Sequence, residues 1–397
     1  MLKRNTCGHP PFARLAAGMF FLSLAAVALA APRPADAPAN YAQRPEVRAF
    51  IAELVADQGF DARTLRRLFA QARHQPKVVA AMSRPFLSPP KWYEFAPRFL
   101  DSARVDAGVA FWHEHSDALN RARDEFGVPP EVIVAIIGVE TYYGRNTGSY
   151  RVFDALTTLA FDYPRRAEFF RGELKQFLLL AKEQGISPLA PKGSYAGAIG
   201  LPQFMPGSIR AYALDYDADG RVDLAAGIVD AIGSVAHFLA RHGWQAGQPV
   251  MTPARIDAVD ARTIAGKLDG GIAERRSLAE WVHDGIIGFA FPGDLSSDPV
   301  GLLMLEEETG PTYWLVFNNW YVLTRYNRSR LYASAVWELA QAIKLAADGG
   351  SKLTYVASHA ARQRSHVRDQ AARRRVGVGG ADAVAHCSDQ WPRQRLA

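Results

Sequence analysis

The sequence predicts a mainly α protein of the α+β class, a helical body with a small β-containing subdomain late in the chain. Three observations carry this. Apolar residues recur at helical spacing from residue 44 to residue 242, interrupted by Gly-, Pro- and Asp-rich stretches. One segment, Glu131 to Tyr142, is apolar almost throughout (Val132, Ile133, Val134, Ala135, Ile136, Ile137, Val139), the pattern of a helix buried on all sides. After Gly243 the pattern changes to short apolar runs, Gly301 to Leu305 and Tyr313 to Phe317, which read as strands.

The elements follow in order. Lys3, Arg4 and Arg14 precede an apolar stretch from Leu15 to Ala30 that ends in Ala28-Leu29-Ala30. A run of about sixteen residues is short for a membrane span. Residues 1–30 therefore read as a secretory signal peptide, with an uncleaved N-terminal anchor as the alternative. The mature chain is expected in the periplasm with no transmembrane segment. No Cys follows the apolar run, so a lipid-anchored form is not expected, and Cys387 is left as the one mature thiol. A Pro/Ala-rich leader covers 31–41. Residues 44–73 predict helix on Phe50, Ile51, Leu54, Leu65 and Leu68, and Pro85, Pro89 and Pro90 break it. A second helical stretch spans Pro97 to Glu125. Gly127 and the Pro129-Pro130 pair then set the start of the apolar helix. Helices at Phe153 to Ala160, Arg165 to Gln184 and Gly227 to His242 complete a helical region over 42–242. Residues 243–321 make the β-containing subdomain. Residues 322–347, with a helix from Arg330 to Ala347, close the core, and 348–397 form a basic tail of disordered composition.

The net charge of +6 and pI near 9.3 point to nucleic acid only until the charges are located. The tail from Ser351 holds nine basic side chains against three acidic ones, and the first thirty residues hold three more cations. Residues 31–350 are mildly acidic, so nucleic acid is not the expected partner.

Glu140 is the candidate for chemistry. It is a carboxylate near the C-terminal end of the most hydrophobic helix, where desolvation and the negative end of the helix dipole both raise a carboxyl pKa. A glycosidic oxygen needs an acid still protonated near neutral pH. The alternative is a core Glu satisfied by an Arg or by backbone donors. Tyr142, Tyr143 and Gly144 then close the helix, and Arg145, Asn146 and Gly148 make a polar turn, the kind of surface a saccharide groove offers.

The run Gly138-Val139-Glu140-Thr141-Tyr142-Tyr143-Gly144 resembles the catalytic helix end of the lytic murein transglycosylase B family. So do Phe161-Asp162-Tyr163-Pro164-Arg165-Arg166, the run Ser194-Tyr195-Ala196-Gly197-Ala198-Ile199-Gly200-Leu201-Pro202-Gln203-Phe204-Met205-Pro206, and Asn318-Asn319-Trp320-Tyr321 through Asn327. The resemblance covers roughly residues 42–347 in order. It implies a lysozyme-like helical fold and Glu140 as the single catalytic acid and base. It also implies cleavage between N-acetylmuramic acid and N-acetylglucosamine to a 1,6-anhydromuramic acid end, without a catalytic cofactor. Peptidoglycan glycan strands are the implied partner, with other cell-wall enzymes as further candidates and a monomer as the expected state. Ser194 and Gln203 match polar residues beside the acid, Arg165 and Arg166 are positioned to meet substrate carboxylates, and Tyr326 and Tyr332 match groove aromatics beside Tyr142 and Tyr143. His237 and Phe238 stand where the family has an Asn-Tyr pair. Asp154 and Asp162, the nearest further carboxylates, match no catalytic role.

The stretch from Asp215 to Asp223 places acids at positions 1, 3, 5 and 9 of an EF-hand-type loop over 215–226 (Asp215, Asp217, Asp219, Asp223), with Gly220 at the turn and Arg221 at the position that ligates through its carbonyl. Four carboxylates so close predict a structural Ca2+, or Na+, although position 12 is Ala226; Asp230 is the candidate replacement. A solvated acidic turn is the alternative. Two competing functions remain at this stage, a hydrolytic lysozyme and a non-catalytic peptidoglycan-binding protein.

Overall fold

The helices begin and end where backbone chemistry dictates. In the computed structural model, which describes residues 40–83, 90–256, 275–288 and 299–350, the first α-helix is α1 (Pro45–Gln58). It stops at Gly59, whose φ of +62° is left-handed, and Asp61 caps α2 (Ala62–Ala70) by accepting the Thr64 amide at 2.7 Å. The stretch expected as one helix over 44–73 is thus two. α3 (Pro76–Ser83) and α4 (Trp92–Phe95) are short. The expected helix over 97–125 is also divided, into α5 (Ser102–Glu114) and α6 (Ser116–Phe126), because His115 leaves helical geometry with φ −116° and ψ 26°. The expected signal peptide, most of the leader and the basic tail beyond residue 350 lie outside the described residues.

The apolar helix is α7 (Pro130–Thr141), opened by Pro130 as expected. Residues 131–138 are buried without exception, and α5, α6, α11 (Ile228–Arg241) and α14 (Arg330–Ala347) pack around it. Its one buried charge at the N-terminal end, Glu131, complements the helix dipole and pairs with Lys344 at 3.1 Å. α8 (Val152–Asp162) and α9 (Ala167–Glu183) pack on each other, and α10 (Pro206–Tyr212) lies against α9. A two-stranded antiparallel ribbon, β1 (Tyr150–Arg151) and β2 (Lys192–Gly193), joins the turn after α7 to the Gly-rich stretch.

From residue 251 the chain builds a five-stranded antiparallel sheet. Its strands are β3 (Met251–Ile256), β4 (Arg276–Ser277), β5 (Ile286–Gly288), β6 (Pro299–Glu307) and β7 (Gly310–Val316), in the order β4-β6-β7-β3-β5. Both faces of β6 and β7 are covered, which explains their unbroken apolar runs. Leu303, Leu305, Trp314 and Val316 enter the main core. Their neighbours Val300, Leu302, Leu315 and Phe317 form a separate small core with Trp281 of α12 (Leu278–His283). α13 (Asn318–Tyr326) crosses the boundary expected at residue 321, and its Trp320 and Tyr321 return to the main core. No helix among the described residues is long and apolar enough to cross a membrane.

Candidate active site

The site is built where α7 ends. Glu140 is the penultimate residue of the helix, and the chain then turns through three consecutive positive φ angles, Tyr142 (53°), Tyr143 (59°) and Gly144 (88°). Gln203 is likewise left-handed, at φ 49°. Three of the four non-glycine residues with positive φ among the described residues therefore lie in the two segments that flank the acid. Such backbone costs about 1–3 kcal/mol per residue and persists only where surrounding contacts overdetermine it.

Those contacts are present. The Thr141 hydroxyl donates to the Leu201 carbonyl at 3.0 Å and accepts the Gly144 amide at 3.0 Å, tying the helix end to the 194–206 segment. Arg104 of α5 donates to the Gly138 carbonyl at 2.6 Å, placing a cation on the C-terminal end of α7. Its guanidinium also lies 4.5 Å from the Tyr142 ring centroid, and Arg145 covers the same ring at 4.8 Å. Arg104 is 36 residues from Glu140 in sequence, and nothing local in the chain announces the contact.

Glu140 is half-buried and accepts a hydrogen bond from the Tyr332 hydroxyl at 2.6 Å. Burial raises its carboxyl pKa from the ordinary 4.5 to about 7, and the Tyr332 bond, which favours the carboxylate, opposes that rise. Tyr332 in turn stacks on Tyr326, with centroids 6.4 Å apart and planes 13° from parallel, and Tyr326 donates to the Pro202 carbonyl at 2.6 Å. Burial and the neighbouring Glu140 hold both phenols well above their usual pKa, so both remain donors. Phe204 and Phe238 complete this aromatic floor, 5.6 and 4.9 Å from the Tyr326 centroid.

Of the residues expected at the site, Ser194 and Gln203 are held in complementary states. The Ser194 oxygen accepts the Ala196 and Ala198 amides at 3.3 and 3.0 Å, which leaves its hydroxyl proton to donate. The Gln203 side-chain amide donates to the Thr147 and Gly200 carbonyls at 3.1 and 2.8 Å, which leaves its carbonyl oxygen to accept. Tyr326 and Tyr332 are brought to the acid as expected, but as supports from below and not as open stacking faces. Tyr143 is a correction: its hydroxyl donates to the Arg104 carbonyl at 2.9 Å, between α5 and α7. A Cβ at Gly138 or Gly108 would come within 2.6 or 2.5 Å of that oxygen, so the residue is a packing wedge and not a sugar contact. Tyr142 has both guanidinium groups close to its ring, at 4.5 and 4.8 Å from the centroid. Arg165 and Arg166 occupy the turn between α8 and α9, where Arg165 is exposed and Arg166 lies 4.2 Å from the Phe169 ring centroid. His237 bonds the Tyr212 carbonyl through Nδ1 at 2.8 Å.

The next two carboxylates along the chain are engaged elsewhere. Asp154 accepts both Arg151 donors, at 2.8 and 2.6 Å, and the Arg73 amide at 3.0 Å. Asp162 accepts from Tyr41 and from Arg44, the latter at 2.6 Å.

In the acidic loop, carboxylate oxygens of Asp215, Asp217 and Asp230 lie within 4.8 Å of one another. Asp230, the candidate for position 12, is buried and accepts the Tyr216 and Asp223 amides at 2.7 and 2.8 Å. Asp219 and Asp223 do not join that group: the Asp219 carboxylate accepts the Arg221 amide at 2.8 Å, and that of Asp223 accepts the Ala225 and Ala226 amides at 2.9 Å. Three convergent hard oxygens fit a Ca2+-type ion.

A helical fold that presents a carboxyl group raised by burial and held by a tyrosine hydroxyl fits an enzyme that cleaves glycosidic bonds by acid catalysis. Residues 42–341 match the transglycosylase SLT domain, and the chain belongs to that family. It is 42% identical over 316 residues to membrane-bound lytic murein transglycosylase B of Escherichia coli (strain K12), over 77% of this chain and 85% of that protein. Its fold is similar to that of the catenated lytic transglycosylase SltB1 from Pseudomonas aeruginosa, with a TM-score of 0.74 and 46% identity, covering 78% of this chain and 100% of the other. It is also similar to the Escherichia coli lytic transglycosylase Slt35 in complex with calcium, with a TM-score of 0.71 and 42% identity, covering 77% and 95%. The chain is therefore a lytic transglycosylase of lysozyme-like fold.

With Glu140 as the acid, kcat/KM is expected to fall as pH rises through about 7. In Tyr332→Phe the bond that stabilises the carboxylate is lost, so this alkaline limb moves to higher pH, while the plateau below it drops about tenfold from lost orientation. A pH–rate profile of the two proteins checks both the direction and the drop.

Proposed function

We propose that this peptidoglycan lytic transglycosylase cleaves the β-1,4 bond between N-acetylmuramic acid and N-acetylglucosamine and leaves a 1,6-anhydromuramic acid end. The observation that carries the proposal is the raised acid at the end of α7: burial lifts Glu140 to about 7, while Asp154 and Asp162, the next two carboxylates along the chain, are held in ion pairs. Glu140 donates its proton to the glycosidic oxygen as the bond to the muramic C1 breaks. Glycosidases that deliver water or form a glycosyl ester use a second carboxylate. Here the substrate's own N-acetyl oxygen stabilises the cationic C1, with the Ser194 hydroxyl and the Gln203 carbonyl as the available donor and acceptor for that amide. The C6 hydroxyl then bonds to C1 and returns its proton to Glu140, so the acid is regenerated and no water is consumed. The raised acid argues for this over a binding protein on the same fold. Arg165 supplies an exposed cation for substrate carboxylates at a distance from the acid, beside the partly covered Arg166.

The chain's N-terminal pattern supports export to the periplasm through a cleaved signal peptide. The acidic loop binds a structural Ca2+ through Asp215, Asp217 and Asp230, bracing the segment that leads into α11. The Slt35 relative in complex with calcium is consistent with this. The ion takes no part in proton transfer.

Mass spectrometry of muropeptides released from purified sacculi tests the reaction. Anhydro ends from the wild type and a loss of at least about 10³-fold in Glu140→Gln are expected; reducing muramic ends would make the enzyme a hydrolase. Thermal melting tests the cation. Added Ca2+ raises the Tm of the wild type relative to EDTA, and Asp217→Asn, which weakens the oxygen cage by one charge, reduces that increment.

A further inference from the structure

Most of the aromatic side chains that the chain places near Glu140 are closed to a sugar face. Tyr332 and Tyr326 stack on each other beside Glu140, Tyr143 is wedged between two helices, and Tyr142 is engaged by the guanidinium groups of Arg104 and Arg145. Tyr195 is different. It is 45% exposed, one of two large hydrophobic side chains so exposed among the described residues; the other, Val282, belongs to the β-containing subdomain.

The backbone that carries Tyr195 is rigid. The Gly197 amide donates to the Ser194 carbonyl at 3.1 Å, which closes a turn with Tyr195 at its second position, and the Ser194 oxygen holds the next two available amides. Gly197 has φ +90°, and a Cβ there would come within 2.5 Å of Leu156, so the turn is pressed against α8. On one side Gly193 pairs with Tyr150 and bridges to Ile199; on the other Leu201 accepts from Thr141, the residue after Glu140. An exposed aromatic ring on a mobile loop needs no explanation. One held out to solvent by a turn fastened at one end to β1 and at the other to the last residue of α7 does.

We propose that Tyr195 is the aromatic platform on which a pyranose ring of the glycan stacks, next to the sugar whose N-acetyl group meets Ser194. A pyranose presents a face of C–H groups that matches an aromatic ring in size, and Tyr offers that area with only two side-chain torsions to order. The fixed turn removes most of the remaining ordering cost. The inference rests on the chain acting on glycan strands, and its test separates binding from cleavage.

Peptide-free glycan strands from amidase-treated sacculi serve as the probe. Loss of the stack weakens their binding to Glu140→Gln/Tyr195→Ala about tenfold relative to Glu140→Gln alone, measured by calorimetry. In the active enzyme Tyr195→Ala raises KM by a similar factor with a far smaller change in kcat, and Tyr195→Trp restores KM. Equal binding by the two Glu140→Gln proteins would overturn the proposal, as would Tyr195→Trp behaving like Tyr195→Ala. Tight, Tyr195-dependent binding by a wild type that releases no anhydro ends would sink the reaction assigned above and leave the platform standing.

Discussion

The burial of α7 on all sides is the constraint from which the rest of the site follows. A helix surrounded by α5, α6, α11 and α14 carries its last residues into a region where a charge is poorly solvated. The two glutamates of this helix meet opposite conditions. Glu131 sits at the positive end of the dipole and has Lys344 as a partner, whereas Glu140 sits at the negative end with a phenol and no cation bonded to it. Arg104 adds its positive charge one turn away, bound to the Gly138 carbonyl, so it steadies the helix end without pairing with the acid. The same fold thus makes one carboxylate structural and leaves the other with a proton near neutrality.

The strained turn after the acid has a similar logic. Left-handed Tyr142, Tyr143 and Gln203 are held by Thr141, by Arg104 and by the carbonyls of Thr147 and Gly200. Each of these bonds crosses between the helix end and the 194–206 segment or fastens one of them. Ser194 and Gln203 come out with one unmatched donor and one unmatched acceptor, which is the pattern an N-acetyl group satisfies.

Much of this was legible in the chain, for identifiable reasons. The all-round apolar pattern marked α7, the Pro129-Pro130 pair marked its start, and Glu140 was placed near its end, where the structure has it. The bounds of α14 coincide with those expected, Arg330 to Ala347. Helix breaks at Gly59 and His115 were missed because apolar spacing continues across them, while the break is a single residue's backbone geometry. The two-sided burial of β6 and β7 needs both a helical body and a second small core, and neither is encoded within the strands. Tyrosine orientation is the hardest case. Tyr332 reaches Glu140 across 192 residues of chain and Tyr326 reaches Pro202 across 124, so composition could nominate them as aromatics but not say which atom faces the acid. Tyr143 was misplaced for the same reason, since its slot is made by Gly108 on another helix.

The central claim is that burial, with no cation bonded to the carboxyl group, raises Glu140 to about 7 and so keeps a protonated fraction near neutral pH. Its most direct test is a carbon-13 NMR titration of carboxyl-labelled glutamate in the free enzyme, with the Glu140 resonance assigned by its absence in Glu140→Gln. The account predicts an inflection near 7 for that resonance. An inflection near the ordinary 4.5 would contradict it, because Glu140 would then be a carboxylate at neutral pH with no proton to give.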